Sequence, residues 1–218
     1  DEELLTREAD LVLREYRRLP TKQREAIRPW VQEMCDGMAE FARRPAVASG
    51  AHGVEALASI SELDRYCYYV AGTVGHLLTD LFRQHHHRVT KRHYDRLKSL
   101  STSFGLGLQL TNIIKDVADD RNRGWSFIPR QLCTISGITP EDLLDPRCKE
   151  QAAQVMSQLI AKARAHLRDA LDYCLALPRS QYRIRLFCLT PLFFAVRTLR
   201  LAANDPRLLD PGHKVKIS

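Results

Sequence analysis

The sequence predicts an all-α fold, with helices packed around one another. Apolar residues recur at helical spacing along nearly the whole chain, and no alternating run of strand length appears. Caps and prolines fall at the ends of the periodic stretches. The composition agrees, with 44% hydrophobic and 27% charged residues over 218 positions, enough chain to bury a core without staples.

Taken in order, Leu4, Leu5, Leu11 and Val12 mark a first helix that Pro20-Thr21 ends, with Thr21 the expected cap of the next. There Ile27, Trp30, Val31, Met34, Met38 and Phe41 form one stripe. Pro45–Gly53 reads as a loop of small residues. Ser59-x-x-Glu62 is a capping-box signal for a third helix reaching about Arg83. A fourth should run from about Thr90 to Asp120, before a break carrying Asn122, Gly124 and Pro129. Thr139-Pro140-Glu141-Asp142 combines a cap, a first-turn proline and two acids. A long helix over about 149–177 stops at Pro178, and a last one over about 181–203 stops at Asn204-Asp205-Pro206. No internal repeat is visible, so 1–218 reads as a single helical domain.

The longest apolar stretch, Leu186–Val196, is too short to span a bilayer, and the opening Asp1-Glu2-Glu3 is no signal peptide. Six cysteines without a C-x-x-C pair read as free thiols in a reducing compartment. Net charge is +7. The excess concentrates in Arg83–Lys98 and Arg183–Ser218 and favours anionic partners: phosphates or an anionic membrane surface. No zinc-finger, RRM or basic-zipper pattern supports nucleic acid. His85-His86-His87 reads as a solvated run at a helix end.

Two segments carry chemistry. On a helix, Gly105, Gln109, Asn112, Asp116 and Asp120 fall within an arc of about 80°. Leu106, Leu110, Ile113, Ile114 and Val117 fill the other sectors. A polar line flanked by apolar residues on both sides is expected to face a cavity. The i, i+4 carboxylates of Asp116 and Asp120 repel unless a cation bridges them, and hard oxygen ligands suit Mg²⁺ with a substrate phosphate. In the second segment Tyr66, Val70, Thr73 and Leu77 share a helical face. Gly72 and Gly75 each cost about 1 kcal/mol of helix propensity, so a close approach of another helix or a ligand is expected there.

At these residues the chain resembles a known family. Tyr66-Cys-Tyr-Tyr-Val-Ala-Gly-Thr-Val-Gly75 is similar to the tyrosine-containing motif of the squalene and phytoene synthases. Gln109-Leu-Thr-Asn-Ile-Ile-Lys-Asp116-Val-Ala-Asp-Asp120 resembles the family's second aspartate-rich motif. The following Phe127-Ile-Pro129 and the Phe187-Cys188-Leu-Thr-Pro191 segment resemble further family segments in order and spacing. Met38-Ala-Glu-Phe41 and the ending Lys214-Val-Lys216-Ile217 are most like the squalene synthase branch, while Gly-Thr-Val-Gly at 72–75 is equally like the carotenoid-forming branch.

The resemblance implies an isoprenoid synthase-type helical bundle around a central cavity. It implies head-to-head condensation of two farnesyl diphosphates to presqualene diphosphate, with Mg²⁺, and reduction to squalene by NADPH. Asp116 and Asp120 match the metal-binding aspartates. Gln109, Asn112 and Lys115 match polar positions near the substrate, and Val70, Val74 and Gly75 match positions lining the isoprenoid channel. Tyr66 matches the tyrosine of the first half-reaction, Phe187 an aromatic of the second, and Lys216 a basic position for NADPH. The implied location is cytoplasmic, or peripheral on the cytoplasmic membrane face. Three departures stand out. Lys115 replaces an Arg, which loses bidentate geometry. Trp125 stands near a phosphate-binding Arg position that Arg121 or Arg123 would fill. The family's first aspartate-rich motif has no match, which implies a version incomplete at the N-terminus. Phytoene or dehydrosqualene synthesis and a non-catalytic isoprenoid-binding role remain open at this point.

Overall fold

The computed structural model describes residues 2–43 and 54–216; the loop expected at Pro45–Gly53, and Ile217, lie outside the described residues. The centre of the molecule is helix α6 (Lys91–Lys115). Its buried residues include Leu97, Leu100, Phe104, Leu106, Leu110, Ile113 and Ile114, and a helix apolar on most sides has to be enclosed. Helix α9 (Lys149–Ala176) runs along it. Ala152, Ala163 and Ala170 of α9 are fully buried, and Gly107 of α6 lies against the backbone at His166 and Leu167. Small residues on both sides let the helices approach, and Phe104 packs on Tyr173 at 5.1 Å between ring centres. Helices α5 (Thr73–His85) and α10 (Tyr182–Ala202) flank this pair.

The first predicted helix divides at Glu8 into α1 (Glu2–Arg7) and α2 (Ala9–Arg18). No residue of α2 is buried. Thr21 is not the cap of α3 (Thr21–Ala42) but its first helical residue, after an extended Pro20. Helix α3 is anchored by a polar cluster. Trp30 Nε1 donates to Asp80 at 2.7 Å, Tyr94 donates to the other Asp80 oxygen at 2.8 Å, and Lys98 reaches Asp80 at 2.9 Å. The Trp30 ring stacks on His76 at 4.6 Å. The Ser101 and Thr102 hydroxyls hold the two nitrogens of that imidazole.

The Ser59 cap of α4 (Ile60–Cys67) forms as predicted, accepting from the Glu62 amide at 3.2 Å. The continuous third helix does not form. A π turn, Tyr68–Gly72, separates α4 from α5. Wider i→i+5 bonding changes the phase of the next turn. The single face expected of Tyr66, Val70, Thr73 and Leu77 is therefore broken: Thr73 is fully buried, bonded to the Tyr69 carbonyl, while Tyr66 and Val70 are half-buried.

The fourth predicted helix also breaks. Asp116 leaves helical geometry (φ −100°, ψ 9°), and α7 (Val117–Asn122) follows. One pairing was not expected: Glu55–Ala56 (β1) and Trp125–Ser126 (β2) form a two-residue parallel bridge. Helix α8 (Arg130–Ile135) and two 3₁₀ turns, Pro140–Leu144 and Pro146–Cys148, lead into α9. Among the described residues no helix is long and apolar enough to cross a membrane.

Candidate active site

Tyr66, from α4, projects into a pocket of about 370 Å³. Its walls are Met38, Phe41 and Ala42 of α3, Leu57 beside β1, and Trp125 and Phe127 at β2. Glu55 of β1, Asp120 of α7 and Arg123 bring charge to the same space. The Tyr66 ring stacks on Phe127 at 4.6 Å and meets Phe41 edge-on at 5.3 Å. Burial, reinforced by Cys67 and Asp120, pushes the Tyr66 phenol up to about 12. It therefore stays protonated near neutrality, a hydrogen-bond donor rather than a base.

Asp116 and Asp120 remain coupled across the helix break, because the Asp120 amide still donates to the Asp116 carbonyl at 2.9 Å. Burial, and then the Asp116 carboxylate, raise the Asp120 pKa. Lys115 sits 3.2 Å from Asp116, and Arg123 only 4.0 Å from Asp120. This crowding of two hard carboxylates with partial compensation is the donor chemistry that accepts a divalent cation. Among the described residues no group of three His, Cys, Asp or Glu converges as a metal cage. Asp116 and Asp120 are the two carboxylates that could serve as ligands at this place.

The other predicted residues are distributed. Gln109 is half-buried and Asn112 exposed, so the polar line of α6 opens outward instead of facing a closed cavity. Val74 is 37% exposed. Gly75 corrects the expectation of a channel-lining position: a Cβ there would collide with the Ser101 carbonyl of α6, so the glycine serves a helix crossing. Gly105 is likewise packed on the Ala71 carbonyl, not open to a ligand. Phe187 is 57% exposed on α10, edge-on to Phe82 at 6.5 Å, and does not reach the Tyr66 pocket. Lys216 is exposed beside Arg200 and Lys214 in a separate basic recess.

The structure also separates two arginines that the sequence left equivalent. Arg121 donates to the Pro140 and Glu141 carbonyls at 3.2 Å each and is committed to the loop after α8. Arg123 faces the pocket. Lys214 reaches Asp119 at 2.7 Å, tying the end of the described chain to α7, a contact no local pattern announces.

The squalene/phytoene synthase family profile matches residues 2–218. The squalene synthase of Schizosaccharomyces pombe is 33% identical over 216 residues, covering 99% of this chain and 45% of that protein. The squalene synthase of Cyberlindnera jadinii is 32% identical over 212 residues, covering 96% and 45%. The solved complex of TcSQS with the ligand BPH1237 superposes with a TM-score of 0.77 at 27% identity, over 94% of this chain and 56% of that one. A squalene synthase from Alicyclobacillus acidocaldarius, 18% identical with a TM-score of 0.63 over 88% of this chain and 62% of that one, shares the fold. The chain thus spans a little under half the length of the curated relatives it matches, 45% of each of these two. Its fold is the isoprenoid synthase-type helical fold of these neighbours, and the chain belongs to the squalene/phytoene synthase family.

Proposed function

We infer that the protein carrying this chain condenses two farnesyl diphosphates head to head to presqualene diphosphate and reduces that product to squalene. The observation that supports this best is the convergence of the Tyr66 hydroxyl and the Asp120 carboxylate on one apolar-walled pocket. An allylic diphosphate needs both: polar groups where the diphosphate departs, and walls that keep water from a carbocation. Met38, Phe41, Leu57 and Phe127 supply apolar wall of that kind. The Tyr66 ring offers an aromatic face to positive charge, and its protonated hydroxyl offers a hydrogen bond to the leaving group. Asp116 and Asp120 would hold Mg²⁺, which when bound supplies charge neutralisation for the departing diphosphate. Arg123 adds a cation to the same pocket. Lys216, in its exposed basic recess, would take the phosphates of NADPH, and Phe187 would act in the second half-reaction. The reading places the protein in the cytoplasm or on the cytoplasmic membrane face.

The test is product analysis. The gene product that contains this chain, given farnesyl diphosphate and Mg²⁺, should accumulate presqualene diphosphate without NADPH and squalene with it. Dehydrosqualene regardless of NADPH would move it to the carotenoid-type branch. Binding of farnesyl diphosphate with no product would make it a non-catalytic member.

A further inference from the structure

One ring of the pocket has no part in the chemistry above. Trp125 lines the pocket and is 39% exposed at its mouth. The backbone holds it there. Glu55 donates to the Gly124 carbonyl at 3.1 Å and Leu57 to the Ser126 carbonyl at 3.3 Å, and Gly124, at φ +84°, turns the chain into the bridge. Strand alternation then buries Ser126 and sends Trp125 and Phe127 to the same side. The Trp125 and Phe127 rings are 6.5 Å apart at 19°, and Phe127 lies 4.6 Å from Tyr66 at 27°. Three near-parallel rings therefore step from the half-buried phenol out to the indole.

The same pocket is lined by Met38, Phe41 and Ala42 of α3, with Phe41 edge-on to Tyr66 at 5.3 Å. The charged residues of the lining are Glu55, Asp120 and Arg123; Arg123 lies 4.0 Å from Asp120, and its side chain is 73% exposed. A slot lined mostly by apolar side chains, with the Arg123 cation exposed among its charged groups, fits a ligand with a flat, unsaturated chain and an anionic end. A bare anion would leave the aromatic wall in water, and a purely apolar molecule would leave Arg123 unused.

We propose that Trp125 is the hydrocarbon-recognition residue of this pocket: its indole extends the Tyr66–Phe127 wall, and the unsaturated chain of a prenyl diphosphate lies against it with the anionic end toward Arg123. The proposal rests on the prenyl-diphosphate reading of the site and adds a residue that sets preference for the chain over the diphosphate alone.

The chain contains two tryptophans, which makes the test direct. Trp30 is committed to Asp80 and His76, so a Trp30→Phe variant reports on Trp125 alone. The 218-residue chain and this variant are titrated with farnesyl thiodiphosphate, an unreactive analogue, by fluorescence and calorimetry in parallel, and then with inorganic diphosphate. Both proteins should show a saturable emission change with the farnesyl compound and none with inorganic diphosphate. Trp125→Ala should weaken farnesyl binding about fivefold to tenfold and leave inorganic diphosphate binding within about twofold. Calorimetric binding of the farnesyl compound to Trp30→Phe without an emission change, or undiminished binding to a folded Trp125→Ala, overturns the proposal while the reading of the site stands. No farnesyl binding at all overturns both.

Discussion

The α4–α7 wall and helix α10 present their aromatic residues in opposite ways. Tyr66 is enclosed by Phe127 and Phe41, and burial pushes its phenol to about 12. Phe187 is 57% exposed, and Leu186, Phe193 and Phe194 of the same helix are 62%, 61% and 58% exposed. Yet both helices have buried residues: Leu63 and Cys67 in α4, Cys188, Leu192 and Leu199 in α10. The difference lies in what covers the second face. Around Tyr66, α3 and the β1–β2 bridge close in, so a hydroxyl there is desolvated and its interactions strengthened. Of the two, the first wall is the one that shields its aromatic ring from water.

The sharpest way to break that contrast is the carboxylate pair. Asp116→Asn and Asp120→Asn, made separately in the protein carrying this chain, should each lower presqualene diphosphate formation by about a thousandfold or more. Wild-type turnover of both variants at millimolar Mg²⁺ would sink the metal assignment. Tyr66→Phe removes one hydroxyl and keeps the Phe127 stack, so the fold should persist while the first half-reaction slows about a hundredfold. Unchanged turnover in the folded variant would reduce Tyr66 to a wall.

Two further substitutions sharpen the comparison through stability. Gly75→Ala drives a Cβ into the Ser101 backbone, which cannot rotate away, and should cost about 1–3 kcal/mol by denaturant unfolding. An unchanged midpoint would mean that α5 and α6 slide apart freely. Phe187→Ala should shift stability by less than about 0.5 kcal/mol, because the ring is mostly in solvent. Its effect should fall on squalene formation more than on presqualene diphosphate formation. Equal losses in both half-reactions would remove Phe187 from the second step.

Part of the candidate site was legible because its signals are local. Asp116 and Asp120 are four residues apart, and the i, i+4 bond that keeps them together survives the break at Asp116. Tyr66 follows from the Ser59 cap that starts α4 in the predicted place. Phe41, on the predicted stripe of α3, does reach the pocket. Illegible in advance were the residues whose roles depend on distant backbone. Nothing within a few positions of Arg121 or Arg123 shows that one binds the carbonyls of Pro140 and Glu141 while the other faces the pocket. Trp125 reads as a departure from a family pattern until the pairing with Glu55, seventy residues earlier in the chain, sets its direction.

By itself the sequence determined the helical class, the cap at Ser59, the order of the motifs and the carboxylate spacing. Each rests on bonds or periodicities spanning three or four residues. Only the tertiary structure decided the π turn at Tyr68–Gly72, the glycine crossings of Gly75 on Ser101 and Gly105 on Ala71, and the outward face of Phe187. These outcomes turn on how closely two separate backbones approach and on which faces they leave uncovered. Residue periodicity reports that a helix has an apolar side, but the packing of whole elements settles what that side meets.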